Sequence, residues 1–138
     1  METYIHKVQY YETDKMGITH HSNYIRWFEE ARVDFLEKAG MGFEKMEAMG
    51  VSSPVMSVKA SYKRPTYFSE NVLLTIRLVR FTGIKFMFSY EVKNAAGELC
   101  CTGESEHCFL DETGRPARPK DRWPAIQRIM EENLEKGD

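Results

Sequence analysis

The stretch Glu12–Gly40, ETDKMGITHHSNYIRWFEEARVDFLEKAG, decides the fold: an acidic loop runs through a histidine pair into the longest helical pattern in the chain. Ser22 or Asn23 is placed to cap the helix start, and Gly40 sits where a left-handed stop residue belongs. The spacing predicts roughly five turns. Tyr24, Phe28, Ala31, Phe35 and Ala39 fall on one line, flanked by Ile25 and Leu36 on one side and Trp27 on the other;. Arg26, Glu29, Glu30, Asp34 and Glu37 take the opposite half, with solvent as the simplest partner of Glu30. A helix apolar over half its circumference must lie against a large apolar surface, and a curved sheet supplies one.

The rest of the chain reads as that sheet. Tyr4–Glu12 alternates, with Tyr4, His6, Val8 and Tyr10 on one face, which predicts a strand;. After the helix, Met41–Gly50 reads as a short helical turn rich in methionine, a residue type that fills gaps or adapts to apolar ligands. From Val51 the period changes from 3.6 to 2. Met56, Val58, Ala60 and Tyr62 share one side of a strand that ends, or becomes an edge, at Pro65;. Val72, Leu74, Ile76 and Leu78 share a second, and Ile84, Phe86, Phe88, Tyr90 and Val92 a third;. Phe81–Gly83 and Asn94–Gly97 have hairpin length, so the strands read as an antiparallel meander continued by Leu99–Leu110;. Ile126, Ile129, Met130 and Asn133 then recur at helical spacing. The expectation is an α+β arrangement, a five-stranded antiparallel sheet wrapped around one long helix.

Composition narrows the function. The 138 residues show no Gly/Ser/Pro-rich break and no repeat, which fits a single domain over 1–138;. No apolar run is long enough to span a bilayer, and METYIHKVQYYETD lacks the order of a signal peptide, so a cytoplasmic protein with no integral membrane segment is expected;. Three cysteines, two of them adjacent, argue against a disulfide framework, and no spaced His/Cys set suggests a metal;. The net charge of −2 gives no general pull toward nucleic acid;.

The run Y-E-T-D-K-M-G-I-T-H-H-S-N-Y followed by R-W-F-E-E-A-R resembles the hot-dog-fold acyl-CoA thioesterases of the 4-hydroxybenzoyl-CoA thioesterase and YbgC type, with the element order agreeing over nearly the whole chain. Asp14, Gly17, His21, Asn23 and Tyr24 occupy that family's motif positions. The resemblance implies that Asp14 is the catalytic carboxylate, that backbone N–H groups near His21 polarise the thioester carbonyl, and that His21 assists. It implies substrate contacts from Gly17, Asn23 and Tyr24, and a homodimer or homotetramer with active sites at the subunit interface. No cofactor is expected, since coenzyme A is part of the substrate.

Each residue also has a structural reading. Asp14 suits a turn or cap, His21 suits packing as well as proton management, and His20 and His107 read as structural. Glu29, nearer the apolar edge than Glu30, is the alternative acid, with a salt bridge to Arg26 or Arg32 as its simpler role. Arg32 projects from the apolar side and should need a buried anion. Lys59, Lys63, Arg64, Arg77, Arg80 and Lys85 form the basic set that can meet coenzyme A phosphates, Lys59, Lys63 and Arg64 foremost;. The expected activity is hydrolysis of an acyl-CoA thioester with Asp14 as general base or nucleophile. A non-catalytic acyl-CoA or acyl-carrier-protein binding module is the rival, and a dehydratase of the same fold a third reading.

Overall fold

The computed structural model describes residues 1–136. Five strands, β1 (Glu2–Lys7), β2 (Val55–Tyr62), β3 (Asn71–Phe81), β4 (Lys85–Lys93) and β5 (Leu99–Cys108), form one sheet. Its order is β1-β3-β4-β5-β2, with every pair antiparallel. The long helix α1 (Ser22–Lys38) lies on its inner face, α2 (Phe43–Ala48) follows, and α3 (Pro119–Arg122) and α4 (Pro124–Asn133) close one end.

Alternation drives this arrangement. Val72, Leu74, Ile76 and Leu78 of β3 and Phe86, Phe88, Tyr90 and Val92 of β4 are buried, and they meet Trp27, Phe28, Ala31 and Phe35 of α1. Phe28 stacks on Tyr90 with ring centroids 4.3 Å apart, and Phe35 meets Phe88 edge-on at 5.1 Å. Gly40 adopts φ 90°, and the N–H groups of Gly40 and Met41 return to the carbonyls of Glu37 and Leu36, which ends the helix as the sequence predicts;. Met41 and Met46 are buried, so these methionines fill the core;.

Four expectations change. The first strand stops at Lys7, because the Glu12 carboxylate takes the Gln9 N–H and folds Tyr10–Glu12 into a 3-10 turn. Neither Ser22 nor Asn23 caps α1; His21 holds that position with helical backbone angles. Ile25 is 40% exposed while Arg32 is buried, so the buried arc is rotated away from Ile25. The meander covers only β3–β4–β5, since β2 crosses to the far edge and pairs with β5. Periodicity reports which face a side chain takes and says nothing about which strand is its neighbour.

β5 passes directly beneath α1 at Gly103. A Cβ there would collide with the Phe28 ring and lie 2.9 Å from the Lys59 carbonyl oxygen. Gly103→Ala is therefore expected to lower the unfolding free energy by about 1–3 kcal/mol through overpacking, read from the urea midpoint at unchanged slope.

Candidate active site

The loop before α1 is built from its own backbone. Thr13 bridges Thr19, the Asp14 N–H donates to Ile18 O at 2.9 Å, and Gly17 turns the chain at φ 75° with its N–H on Asp14 O. The Asp14 carboxylate receives the N–H groups of Met16 (2.8 Å) and Ile18 (3.3 Å), both on Oδ1. The residue is exposed, so Oδ2 faces outward with no partner among the described residues.

Glu12, absent from the sequence-based candidates, fixes this loop from beneath. It is 3% exposed, and its carboxylate meets His6 Nε2 (2.8 Å), the Gln9 N–H (2.8 Å) and Trp27 Nε1–H (2.7 Å). Burial alone would raise its pKa, but the donors from Gln9, His6 and Trp27 outweigh it and hold the group below its ordinary value;. The spacing Gln9-x-x-Glu12 is that of a capping box and was the available signal;. Glu30 is tied to the same cluster, accepting from Tyr4 OH at 2.8 Å and meeting His6 Nδ1 at 3.0 Å, instead of facing solvent.

The helix start opens on a cleft of about 290 Å³ lined by His21, Tyr24, Tyr62, Lys63 and Arg64, with Ile18 and Thr19 at its floor. His21 is exposed, stacks on His20 at 4.3 Å, and takes a hydrogen bond from Tyr62 OH on its carbonyl. The His21 N–H finds no acceptor among the described residues, while the Ser22 N–H is taken by His20 Nδ1. Tyr24 lines the cleft, but its hydroxyl is engaged with Thr66 Oγ1 at 2.9 Å, and burial pushes its phenol up to about 12. Asn23 is buried and donates to the carbonyls of Glu12 and His20, so its amide ties loop to helix.

The basic set is divided. Lys63 and Arg64 sit at the cleft, Arg64 also pairing with Glu98 at 3.3 Å. Lys59 lies on the other face of the sheet with Arg77, which pairs with Glu91, and Arg80 and Lys85 flank the β3–β4 hairpin. Glu29 has neither an ion pair nor a hydrogen bond among the described residues. Arg32 finds a neutral hydroxyl where a carboxylate was expected, donating to Tyr90 OH at 3.1 Å; Tyr90 OH then meets Ser105 Oγ, which meets His107 Nε2 at 2.8 Å. The three cysteines are unpaired and buried, and burial pushes the Cys101 thiol up to about 12, which removes it as a nucleophile;. Among the described residues there is no group of three or more His, Cys, Asp or Glu placed to hold a metal, and no helix long and apolar enough to cross a membrane.

A sequence model of the thioesterase-like superfamily matches residues 8–131. The chain belongs to this superfamily. It has the hot-dog fold of the family's acyl-CoA thioesterases, as the Asp14–Tyr24 motif implied. A Bacillus subtilis protein named "Putative acyl-CoA thioesterase YneP" is 34% identical over 119 residues, covering 86% of each chain. The DHNA-CoA thioesterase of Staphylococcus aureus superposes with a TM-score of 0.89 at 32% identity, covering 94% of this chain and 88% of its own. The Thermus thermophilus protein TT1821 gives 0.85 at 36% identity, covering 94% and 99%.

In this hot-dog chain the His107 imidazole titrates far from solution. Burial first, and then the Arg32 charge, lower its pKa from 6.5 to about 4. The unfolded chain therefore binds this proton between those values while the folded chain does not. Stability is full above pH 6.5 and falls as pH drops toward 4, by up to about 3 kcal/mol. Urea unfolding at pH 7 and pH 5 should show about 2 kcal/mol of that loss in the wild type, and His107→Gln should lose much less over the same interval.

Proposed function

We propose that the protein hydrolyses an acyl-CoA thioester to a free acid and coenzyme A, acting as a single hot-dog domain within a homodimer. The observation that carries this reading is the outward-facing Asp14 carboxylate, held by two backbone N–H groups on a loop that ends at the free His21 N–H and the positive end of a 17-residue helix;. A thioester carbonyl seated at the helix start would place its oxygen on that N–H, where negative charge developing in the tetrahedral intermediate is stabilised. Asp14 then removes a proton from water as the water oxygen attacks the carbonyl carbon, the C–S bond breaks, and the proton passes to the departing thiolate. In the alternative course the carboxylate oxygen itself attacks, expels the thiolate, and leaves an anhydride that water opens.

His21 stands at the cleft with its ring exposed and assists by orienting the carbonyl or moving the proton. Lys63 and Arg64 at the cleft edge offer cations to the coenzyme A phosphates;. The names carried by similar proteins support the substrate class: YneP as an acyl-CoA thioesterase and the S. aureus protein as a DHNA-CoA thioesterase. Acyl-CoA chemistry and three unpaired cysteines fit the cytoplasm;.

The edge strand β2 supports a dimer. Val55, Met56, Val58 and Tyr62 are 37–49% exposed there, next to a ladder with no partner among the described residues, whereas at the β1 edge Lys38 reaches Thr3 O and Glu2;. Leu73 and Val79 on the outer sheet face are also 36% and 40% exposed, which offers a second surface for a tetramer.

Two outcomes are expected. Asp14→Asn should lower turnover of acyl-CoA, followed as free thiol release, by at least about a hundredfold with little change in melting temperature, whereas Glu29→Gln should lose far less; the reverse order would move the chemistry onto the helix. Light scattering at micromolar concentration should give at least twice the 16.1 kDa chain mass, and a well-folded monomer would remove the edge pairing.

A further inference from the structure

His6, on β1, faces two carboxylates at once. Its Nε2 lies 2.8 Å from Glu12 Oε1 and its Nδ1 3.0 Å from Glu30 Oε1, while its ring packs against Trp27 with centroids 4.7 Å apart. The imidazole and the Glu12 carboxylate are sealed, with side chains 10% and 4% exposed, and Glu30 stands partly open at 37%. A neutral imidazole has one N–H and one bare nitrogen, and an ionised carboxylate only accepts. A neutral ring would therefore turn a lone pair onto one of the two oxygens. The Glu12 carboxylate already takes the Gln9 and Trp27 N–H groups, which favour its ionised form, and Glu30 accepts from Tyr4 OH on the same oxygen that faces Nδ1;. Among the described residues neither acid has another cation within ion-pair distance. Both contacts are satisfied together when the ring carries a hydrogen on each nitrogen, and the resulting cation is the counter-charge of both acids.

We propose that His6 is a positioning residue for hydrolysis, working as an imidazolium that clamps Glu12 and Glu30 and, through Glu12, fixes the loop that carries Asp14. Its effect on turnover rests on the thioesterase reading. Glu12 stands two residues before Asp14, and its backbone carbonyl receives the His20 N–H at 2.8 Å and the Asn23 amide at 3.0 Å, at the helix start. A ring that loses one proton keeps a single N–H, so one acid faces a lone pair and strand, turn and helix are no longer drawn to one point. Asp14 then loses its placement relative to the His21 N–H, and a displacement of about 1 Å at a reacting group costs about a hundredfold in rate. The groups that act on the ring are Glu12 from the turn, Glu30 from α1 and, through Glu30, Tyr4 from its own strand; β3 sets the uncharged Val72 opposite. Arg26 and Asp34 border the same groove as Tyr4 and Glu30, with Asp34 taken by Lys38. The protonated ring is the active form, so turnover falls as pH rises and this proton leaves.

The test reads the ring directly. Nitrogen NMR of the folded protein at pH 7 should show both His6 nitrogens bonded to hydrogen; one bare nitrogen overturns the proposal. As pH is raised, the amide signals of Met16 and Ile18, whose N–H groups hold Asp14, should move with the same midpoint as the His6 ring, and kcat should fall with them while KM changes little. In His6→Gln, which returns one N–H donor and no charge, kcat measured well below the melting temperature should be about tenfold to a hundredfold lower. The part of the amide movement that belongs to His6 should vanish there, while the part due to His20 and His21 stays. In Glu30→Gln the new amide can donate to a neutral ring, so the ring should lose its proton, and kcat should fall, at lower pH than in the wild type. A kcat unchanged in His6→Gln, or amide and kcat profiles that ignore the ring's proton in both the wild type and Glu30→Gln, overturns the proposal. Should His6→Gln not fold, the ring signals and Glu30→Gln decide. If no acyl-CoA is hydrolysed, the thioesterase reading fails by itself, and the Met16 and Ile18 signals still decide whether His6 governs the loop; signals that do not follow the ring overturn it.

Discussion

The buried Glu12 carboxylate is the contact on which the site's geometry depends. Its two oxygens collect a donor from β1 (His6), one from the turn (Gln9) and one from α1 (Trp27), while its backbone carbonyl takes the His20 N–H and the Asn23 amide. Strand, loop and helix are thereby fixed to one residue two positions before Asp14. Removing any donor would leave a buried charge short of a partner, which costs more than a typical hydrogen bond contributes. The loop can therefore be short and still hold Asp14 in one place, with its own Met16 and Ile18 N–H groups doing the final orientation.

Glu12 and Asp14 show how environment separates two carboxylates that the sequence alone presents as equivalent. Glu12 is sealed, and all of its accepting capacity is directed at the protein. Asp14 is exposed and keeps one oxygen without a partner among the described residues, on the loop that leads to the helix start. Proton transfer and nucleophilic attack both require a lone pair that a substrate can reach, and only the second carboxylate offers one. The same division disables the neighbouring groups. The Tyr24 phenol is raised to about 12 by burial and turned to Thr66, and the Cys101 thiol is raised to about 12 beneath the helix.

Much of this fold was legible in the sequence because burial writes periodicity. The 3.6-residue pattern located α1 and its Gly40 stop, and the two-residue pattern located β3, β4 and β5 with their hairpins. Strand neighbours were not legible, since alternation in Val55–Tyr62 is the same whether that strand joins β3 or β5. The separation of the cations was available in part. Ala60 and Tyr62 facing inward forces Lys59 outward by parity, whereas Lys63 and Arg64 lie past the strand end and escape that rule. Glu30 and Arg32 were misread for a shared reason: a helical wheel assigns polar residues to solvent or to a charge, and it cannot see Tyr4 and His6 on a strand or Tyr90 across the core.

The distribution of polar groups along α1 also explains why the helix lies as it does. Its arc is rotated from the purely apolar line so that Arg32 enters the core while Ile25 remains at the surface. Hydrophobic burial alone would favour the opposite rotation, since a buried isoleucine contributes about 1.5–3 kcal/mol and a buried guanidinium costs several. The Arg32–Tyr90–Ser105–His107 chain satisfies only part of that cost, because every member after Arg32 is neutral. Among the described residues the guanidinium leaves no nitrogen both buried and unbonded, so the solvent that reaches it through the small cavity between α1, β4 and β5 offsets the rest.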